Sequence, residues 1–153
     1  MSRRSAMREP EVNTTYLLGQ AHQALNRRIS AGVVAAGHPI RPAHAAVFVN
    51  IDSEGTRLTT LAERARMTPQ AMSELVDDLV RMGYVDRQPD PYDRRAKLIA
   101  LTDRGYDALQ AGFDTIIAIE ADLEVLLGRP GLARLRTALR RIAESPQGSG
   151  AEP

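Results

Sequence analysis

The hydrophobic positions of this chain fall into stripes of helical period with one interruption. Leu18, Ala21, Leu25 and Ile29 recur at three- and four-residue steps, which predicts an amphipathic helix from Val12 to about Ala31. Gly32, Gly37 and Pro39 break that pattern, and Pro42 opens a shorter helix with Val47, Phe48 and Ile51 inward. Asp52-Ser53-Glu54-Gly55 is a turn. Thr60 and Glu63 stand as a Thr-x-x-Glu capping box, so a helix is expected to start at Leu61, with Ala62 and Ala65 on its apolar side. Thr68 followed by Pro69 marks a second start, because the hydroxyl can cap and proline suits the first helical position. Met72, Leu75, Val76 and Leu79 form one buried face of this helix, and Gly83 lies just past its end.

The period then changes. Tyr84, Val85 and Arg87 suit a strand that Pro89-Asp90-Pro91 ends, and Leu98 to Thr102 returns as an apolar strand. Asp93, Arg94, Arg95 and Lys97 sit at or near the tip, which is too polar to pack and must be solvated or bound. Thr102 caps a long helix on which Tyr106, Leu109, Phe113, Ile116, Glu120, Leu123 and Leu127 repeat, until Gly128 and Pro130 end it. Leu132, Leu135, Leu139 and Ile142 make a last stripe. The pattern predicts a mainly α (α+β) fold of six helices and a hairpin, with no internal repeat. Helix, tight turn, helix and basic hairpin in that order, from Thr59 to Gly105, read as a winged helix-turn-helix with long N- and C-terminal helices around it. Such a unit offers one helix to a DNA groove and a charged loop to the backbone beside it.

Within that frame, Leu61-Ala62-Glu63-Arg64, the helix from Thr68 to Gly83, Asp93-Arg94-Arg95 and Leu101-Thr102-Asp103-Arg104-Gly105 carry a resemblance. Over about residues 11 to 145 the chain resembles the multiple-antibiotic-resistance regulator (MarR) family of bacterial transcription factors. The Asp-x-Arg wing followed by Leu-Thr-x-x-Gly is the specific part. The resemblance implies a domain over 11–145, with 57–104 as the winged unit and 11–36 and 103–145 as dimerisation helices. Periodicity alone leaves two arrangements open, a homodimer and a monomer whose stripes pack on one another. The resemblance implies the dimer. It also implies a repressor on a palindromic double-stranded DNA operator, released by a small phenol or aromatic acid that binds between the dimer helices and the winged unit. That pocket would draw on Tyr16, His22, His44 and Phe48. The other reading of Tyr16 and Phe48 is simple core.

Composition narrows the chemistry. The chain has 153 residues, enough for one domain with a sizeable core, and no cysteine. Disulfides, thiolate metal sites and thiol-based peroxide sensing are excluded. His22, His38 and His44 are not at ligand spacing, so neither metal nor cofactor is expected. A flexible basic tail is expected over 1–10 and a disordered Ser/Pro/Gly tail over 146–153. No apolar run is long enough to span a membrane, and no secretory signal is seen, so a cytoplasmic location is expected. The net charge of +1 announces no nucleic-acid partner, and the case rests on where the arginines lie.

The helix after Thr68 is the expected reader. Thr68, Gln70, Ala71 and Ser73 lie on its first turns, which meet base edges when such a helix enters the major groove. Arg94 and Arg95 suit a narrow minor groove, and by resemblance Arg95 is the inserting arginine. Asp93 is expected to brace the wing. Arg64, Arg66, Arg87 and Lys97 are expected to meet phosphates, which position without specifying. Many members of the resembled family carry a basic residue where this chain has Glu74, and often another at Asp78, so base reading is assigned to Gln70 and Ser73. A rival reading uses Glu74, Asp77 and Asp78 to meet a protein. An enzyme is the third, and no nucleophile–histidine pair, phosphate loop or metal set supports it.

Overall fold

The computed structural model describes residues 13–93 and 95–145. Both expected tails and Arg94 lie outside the described residues. The fold is mainly helical with one three-stranded antiparallel sheet. It divides within the last helix, at Thr115 and Ile116, where the sequence reading takes 11–145 as one domain.

The first unit begins with α1 (Thr14–Ala35), where Asn13 accepts the Tyr16 N–H at 3.0 Å. This helix runs through Gly32, which the hydrophobic pattern marks as a break. A Cβ at Gly32 would lie 2.1 Å from Thr115 Oγ1, so the glycine marks a close helix–helix approach and not a stop. Gly37, at φ +93°, takes the left-handed conformation after the helix. A 3-10 turn (Pro42–His44) leads into α2 (Ala45–Phe48).

The next element has no clear signature in the sequence. Thr56–Arg57 form β1, which pairs with β3 through Thr56↔Ile99 and Arg57↔Leu98. This strand delivers the chain directly into α3 (Leu58–Arg64), so α3 starts before Leu61 and Thr60 lies inside it. The expected capping box is therefore not its N-terminus. In α4 (Pro69–Arg81) the reading holds: Thr68 Oγ1 accepts the Ala71 N–H at 3.2 Å, and Met72, Leu75, Val76 and Leu79 are buried. The hairpin is β2 (Val85–Pro89) and β3 (Lys97–Leu101), in register from Val85↔Leu101 to Pro89↔Lys97. The sheet order is β1-β3-β2.

Leu61, Met72, Leu79 and Val85 join Val47 and Phe48 in one core, and burying each large aliphatic side chain contributes about 1.5–3 kcal/mol. Tyr84 is wholly buried there, edge-on to Phe48 and His38 at ring separations of 6.3 and 5.8 Å, with the Arg104 guanidinium 4.7 Å from its ring centre. The Leu-Thr-x-x-Gly motif has a physical basis at this joint. Thr102 Oγ1 donates to the Gly83 carbonyl at 2.7 Å and accepts the Gly105 N–H at 3.1 Å, capping α5 (Asp103–Glu144). A Cβ at Gly105 would stand 2.1 Å from the Tyr84 carbonyl oxygen, so only glycine fits.

The second unit contains the break in α5 at Gly128 (φ 68°, ψ 156°), where the sequence places a helix end. Arg136 pairs with Glu120, and Arg129 with Glu124 at 2.6 Å. On an uninterrupted helix sixteen residues would span about 24 Å, so the segment after Gly128 folds back along the one before it. Ile119 and Leu132 are buried in this unit, whereas Ile117, Val125, Leu126, Leu135, Leu139 and Ile142 remain exposed.

Candidate nucleic-acid interface

The buried face of α4 fixes what its other face shows. With Met72, Leu75, Val76 and Leu79 turned into the core, Gln70 and Glu74 are exposed and Ala71 and Ser73 half-exposed. The Thr68 hydroxyl caps the helix, which ties down one side of the first turn. The structure thus brings the expected reading residues onto one surface at the helix N-terminus. Arg66, at φ 53°, is the one non-glycine with positive φ among the described residues. It occupies the left-handed position that ends α3, with Met67 N–H bonded to Ala62 O at 2.9 Å and Arg66 N–H to Glu63 O at 3.1 Å. This places it in the turn between the two helices.

The acidic residues of α4 are engaged inside the fold. Asp77 pairs with Arg87 of β2 at 2.8 Å. Asp78 pairs with Arg41 and Arg81, and its Oδ2 lies 3.5 Å from His44 Nε2. Desolvation pushes the Asp78 carboxyl upward, but the His44 hydrogen bond and the two arginines outweigh it and hold the group below its usual range. Of the acids proposed to meet a protein, two are therefore already paired with arginines of the same chain. Arg87 and Arg64 are likewise paired before any DNA arrives: Arg64 bonds the Asn50 carbonyl at 2.8 Å and Asp52 at 2.9 Å. Exposed pairs of this kind contribute about 0–1 kcal/mol, so an arginine can leave its partner for a phosphate.

The wing is braced in a way the sequence does not reveal. Asp90 is buried, and its Oδ2 accepts from Arg57 Nε at 2.8 Å and Arg57 Nη2 at 2.5 Å. Its Oδ1 accepts the Tyr92 N–H at 2.8 Å. The Tyr92 backbone bond and the Arg57 bond together hold the Asp90 carboxyl below its usual range. Asp93, the expected brace, meets the tip through the backbone: its Oδ1 accepts the Arg95 N–H at 3.0 Å and its Oδ2 lies 3.7 Å from Arg57. Arg95 and Lys97 are exposed near the tip. No local signal could have exposed the Arg57–Asp90 pair, because its members lie 33 positions apart.

The four residues expected to line a ligand pocket divide. Tyr16 and His22 are exposed on α1, bonded to Gln20 at 2.8 Å and Asn26 at 2.8 Å. His44 and Phe48 are buried. An open groove of about 580 Å³ lies between Arg41 and α4, with Met67, Ala71 and Leu75 as its apolar lining and Glu74, Asp77, Asp78 and Arg81 as its charged lining. His44 lines the smaller cavity that shares Arg41, Asp78 and Arg81 with it. Among the described residues, no group of three or more His, Asp or Glu could hold a metal ion, and no helix is long and apolar enough to cross a membrane.

The family model of the MarR family matches residues 38–96, which run from just after α1 to the residue before β3. Over that segment the chain is similar to the MarR family, and the fold around it is a winged helix-turn-helix. An HTH-type transcriptional regulator of Mycobacterium leprae is 30% identical over 74 residues, or 48% of this chain and 52% of that protein. The chain thus spans about half the length of the curated relatives it matches. The apo form of MarR from E. coli superposes with a TM-score of 0.70 at 20% identity, covering 88% of this chain and 98% of that one, which is a likeness of fold. The transcriptional repressor CouR, solved on a 23-mer DNA duplex, superposes at TM-score 0.71 and 26% identity over 86% of this chain and 92% of that one. CouR from Rhodococcus jostii RHA1 is also solved with p-coumaroyl-CoA, at TM-score 0.68 and 25% identity over 88% and 94%.

Proposed function

We propose that this chain is a sequence-specific DNA-binding repressor that works as a homodimer on a palindromic operator. The observation that carries the reading is the surface on α4. Its core face is fixed by Met72, Leu75, Val76 and Leu79, which leaves Gln70, Ala71 and Ser73 on an outward first turn beside a braced, arginine-bearing wing. Gln70 can pair with adenine, Ser73 can donate or accept, and the Ala71 methyl can meet a thymine methyl. The dimer is supported by the apolar side chains that stay exposed on the second unit. Two recognition helices related by a two-fold axis would then enter successive major grooves about one turn, roughly 34–36 Å, apart. A cytoplasmic location follows from action on the chromosome.

The pairing of Asp77 and Asp78 weighs against the protein-docking alternative, since those charges are neutralised within the chain. For the effector, the groove beside α4 has an apolar floor from Met67, Ala71 and Leu75, but Glu74, Asp77 and Asp78 also line it and Arg41 and Arg81 are already paired with Asp78, so a neutral phenol suits it better than an aromatic acid. A ligand there would press on the reading helix directly. The test is selection of duplexes from a random DNA pool, followed by the same selection with Gln70→Ala and Ser73→Ala. Enrichment of an inverted repeat is expected, with each variant relaxing one position by about 1–3 kcal/mol. A pool that yields no enriched sequence would sink the reading.

A further inference from the structure

Tyr92 is the most exposed large hydrophobic side chain among the described residues, with 96% of its surface in solvent. Its ring lies in solvent and joins no core of the described residues. A lone exposed apolar residue ordinarily needs no explanation. Here, however, the backbone beneath it is held with unusual care. The buried Asp90 carboxylate accepts the Tyr92 N–H at 2.8 Å and is itself gripped by Arg57 from β1. The Asp93 N–H returns to the Asp90 carbonyl at 3.3 Å, and the Ala96 N–H to the Asp93 carbonyl at 2.9 Å. The side chains of the turn thus fix its backbone, and Tyr92 stands out from that platform next to Asp93, whose carboxylate orients the Arg95 backbone.

We propose that Tyr92 touches the DNA backbone from the wing, its ring lying on a deoxyribose and its phenol hydroxyl donating to the adjoining phosphate. Tyrosine suits that place because it carries an apolar body and a polar tip, and because it has few torsions to immobilise on binding. The braced turn lowers the ordering needed further, since the backbone already holds one conformation. A neutral residue adds affinity without displacing counterions, which separates its role from that of the neighbouring arginine. The inference rests on the DNA-binding reading above and adds a residue to it.

The experiment measures binding of the wild type, Tyr92→Phe, Tyr92→Ala and Arg95→Ala to a duplex selected by the wild type, across a salt series, with a melting temperature for each protein. Tyr92→Ala is expected to bind about tenfold more weakly, the size of one hydrogen bond to a charged group, with unchanged melting, base preference and salt slope. Tyr92→Phe should fall between it and the wild type. Arg95→Ala should instead reduce the salt slope by about 1 for each phosphate it no longer neutralises. Wild-type affinity in Tyr92→Ala overturns the inference while leaving the DNA-binding reading intact. A changed base-step preference in Tyr92→Ala overturns it too, in favour of a wedge inserted between bases. A wild type that selects no duplex overturns both readings, an outcome distinguishable from the other two.

Discussion

The winged unit and the helical unit from Ile116 onward put their apolar residues to opposite ends. In the first, Val47, Leu61, Met72, Val76 and Leu79 are essentially without solvent exposure. In the second, Ile117 and Val125 keep 66% and 88% of their surface exposed, and Ile119 and Leu132 are its buried hydrophobic residues. A layered arrangement of three helices on a small sheet can enclose its own core, whereas two helical segments folded back on each other at Gly128 cover only the sides they turn to one another. In the proposed dimer the difference assigns the second copy a place: it would cover the terminal helices and would not be needed to build the surface on α4.

The strongest way to break the contrast is to put charge on the second unit. Leu135→Asp with Leu139→Asp is expected to convert the dimer to a monomer while the winged unit stays folded, because its core lies elsewhere. Sedimentation should show the change, and a wild type that is already monomeric at micromolar concentration would end the dimer reading. Next in size, Leu79→Ala removes a fully buried side chain and should destabilise the winged unit by about 2–5 kcal/mol, read by denaturant unfolding. No comparable loss is expected from Val125→Ala, because that side chain is already in solvent.

Gly105→Ala probes the joint between sheet and α5. Its methyl would collide with the Tyr84 carbonyl oxygen, so a loss of about 1–3 kcal/mol is expected in the same measurement. A variant as stable as the wild type would show that the Leu-Thr-x-x-Gly motif is not a packing constraint. The smallest effect concerns acid. Burial holds His44 below the usual histidine value of 6.5, against the Asp78 bond that raises it. Its Nδ1 accepts the Arg41 N–H at 3.2 Å, a bond that protonation at that nitrogen abolishes. A depressed folded value means stability present above 6.5 that is lost as pH falls through the folded pKa. Melting temperature should therefore begin to fall below pH 6.5, well before Asp52, Asp78 and Asp90 reach their lowered range, and His44→Gln should flatten that part of the profile.

Local chemistry was legible in the sequence wherever it acts over one or two turns. Thr68-Pro69 started α4, the Met72–Leu79 stripe chose its buried face, Gly83 ended it, and Gly128 broke the last helix, because caps, periodicity and left-handed glycines need only near neighbours. The same locality placed Gln70, Ala71 and Ser73 on one outward turn.

What tertiary structure alone decided lies between residues far apart in the chain. Gly32 looks like a helix breaker and is a close-approach point, because the deciding atom belongs to Thr115. The Thr60–Glu63 box looks like a helix start and is not, because β1 pairs with β3 and carries the chain into α3 earlier. Asp90 looks like a turn residue and is the buried anchor of the wing, because Arg57 reaches it from another strand. Asp77 and Asp78 look like an acidic face and are internal partners of Arg87, Arg41 and Arg81. A sequence specifies its own torsions and periodicities directly, but which distant charge or backbone atom meets a side chain is fixed only when the elements pack.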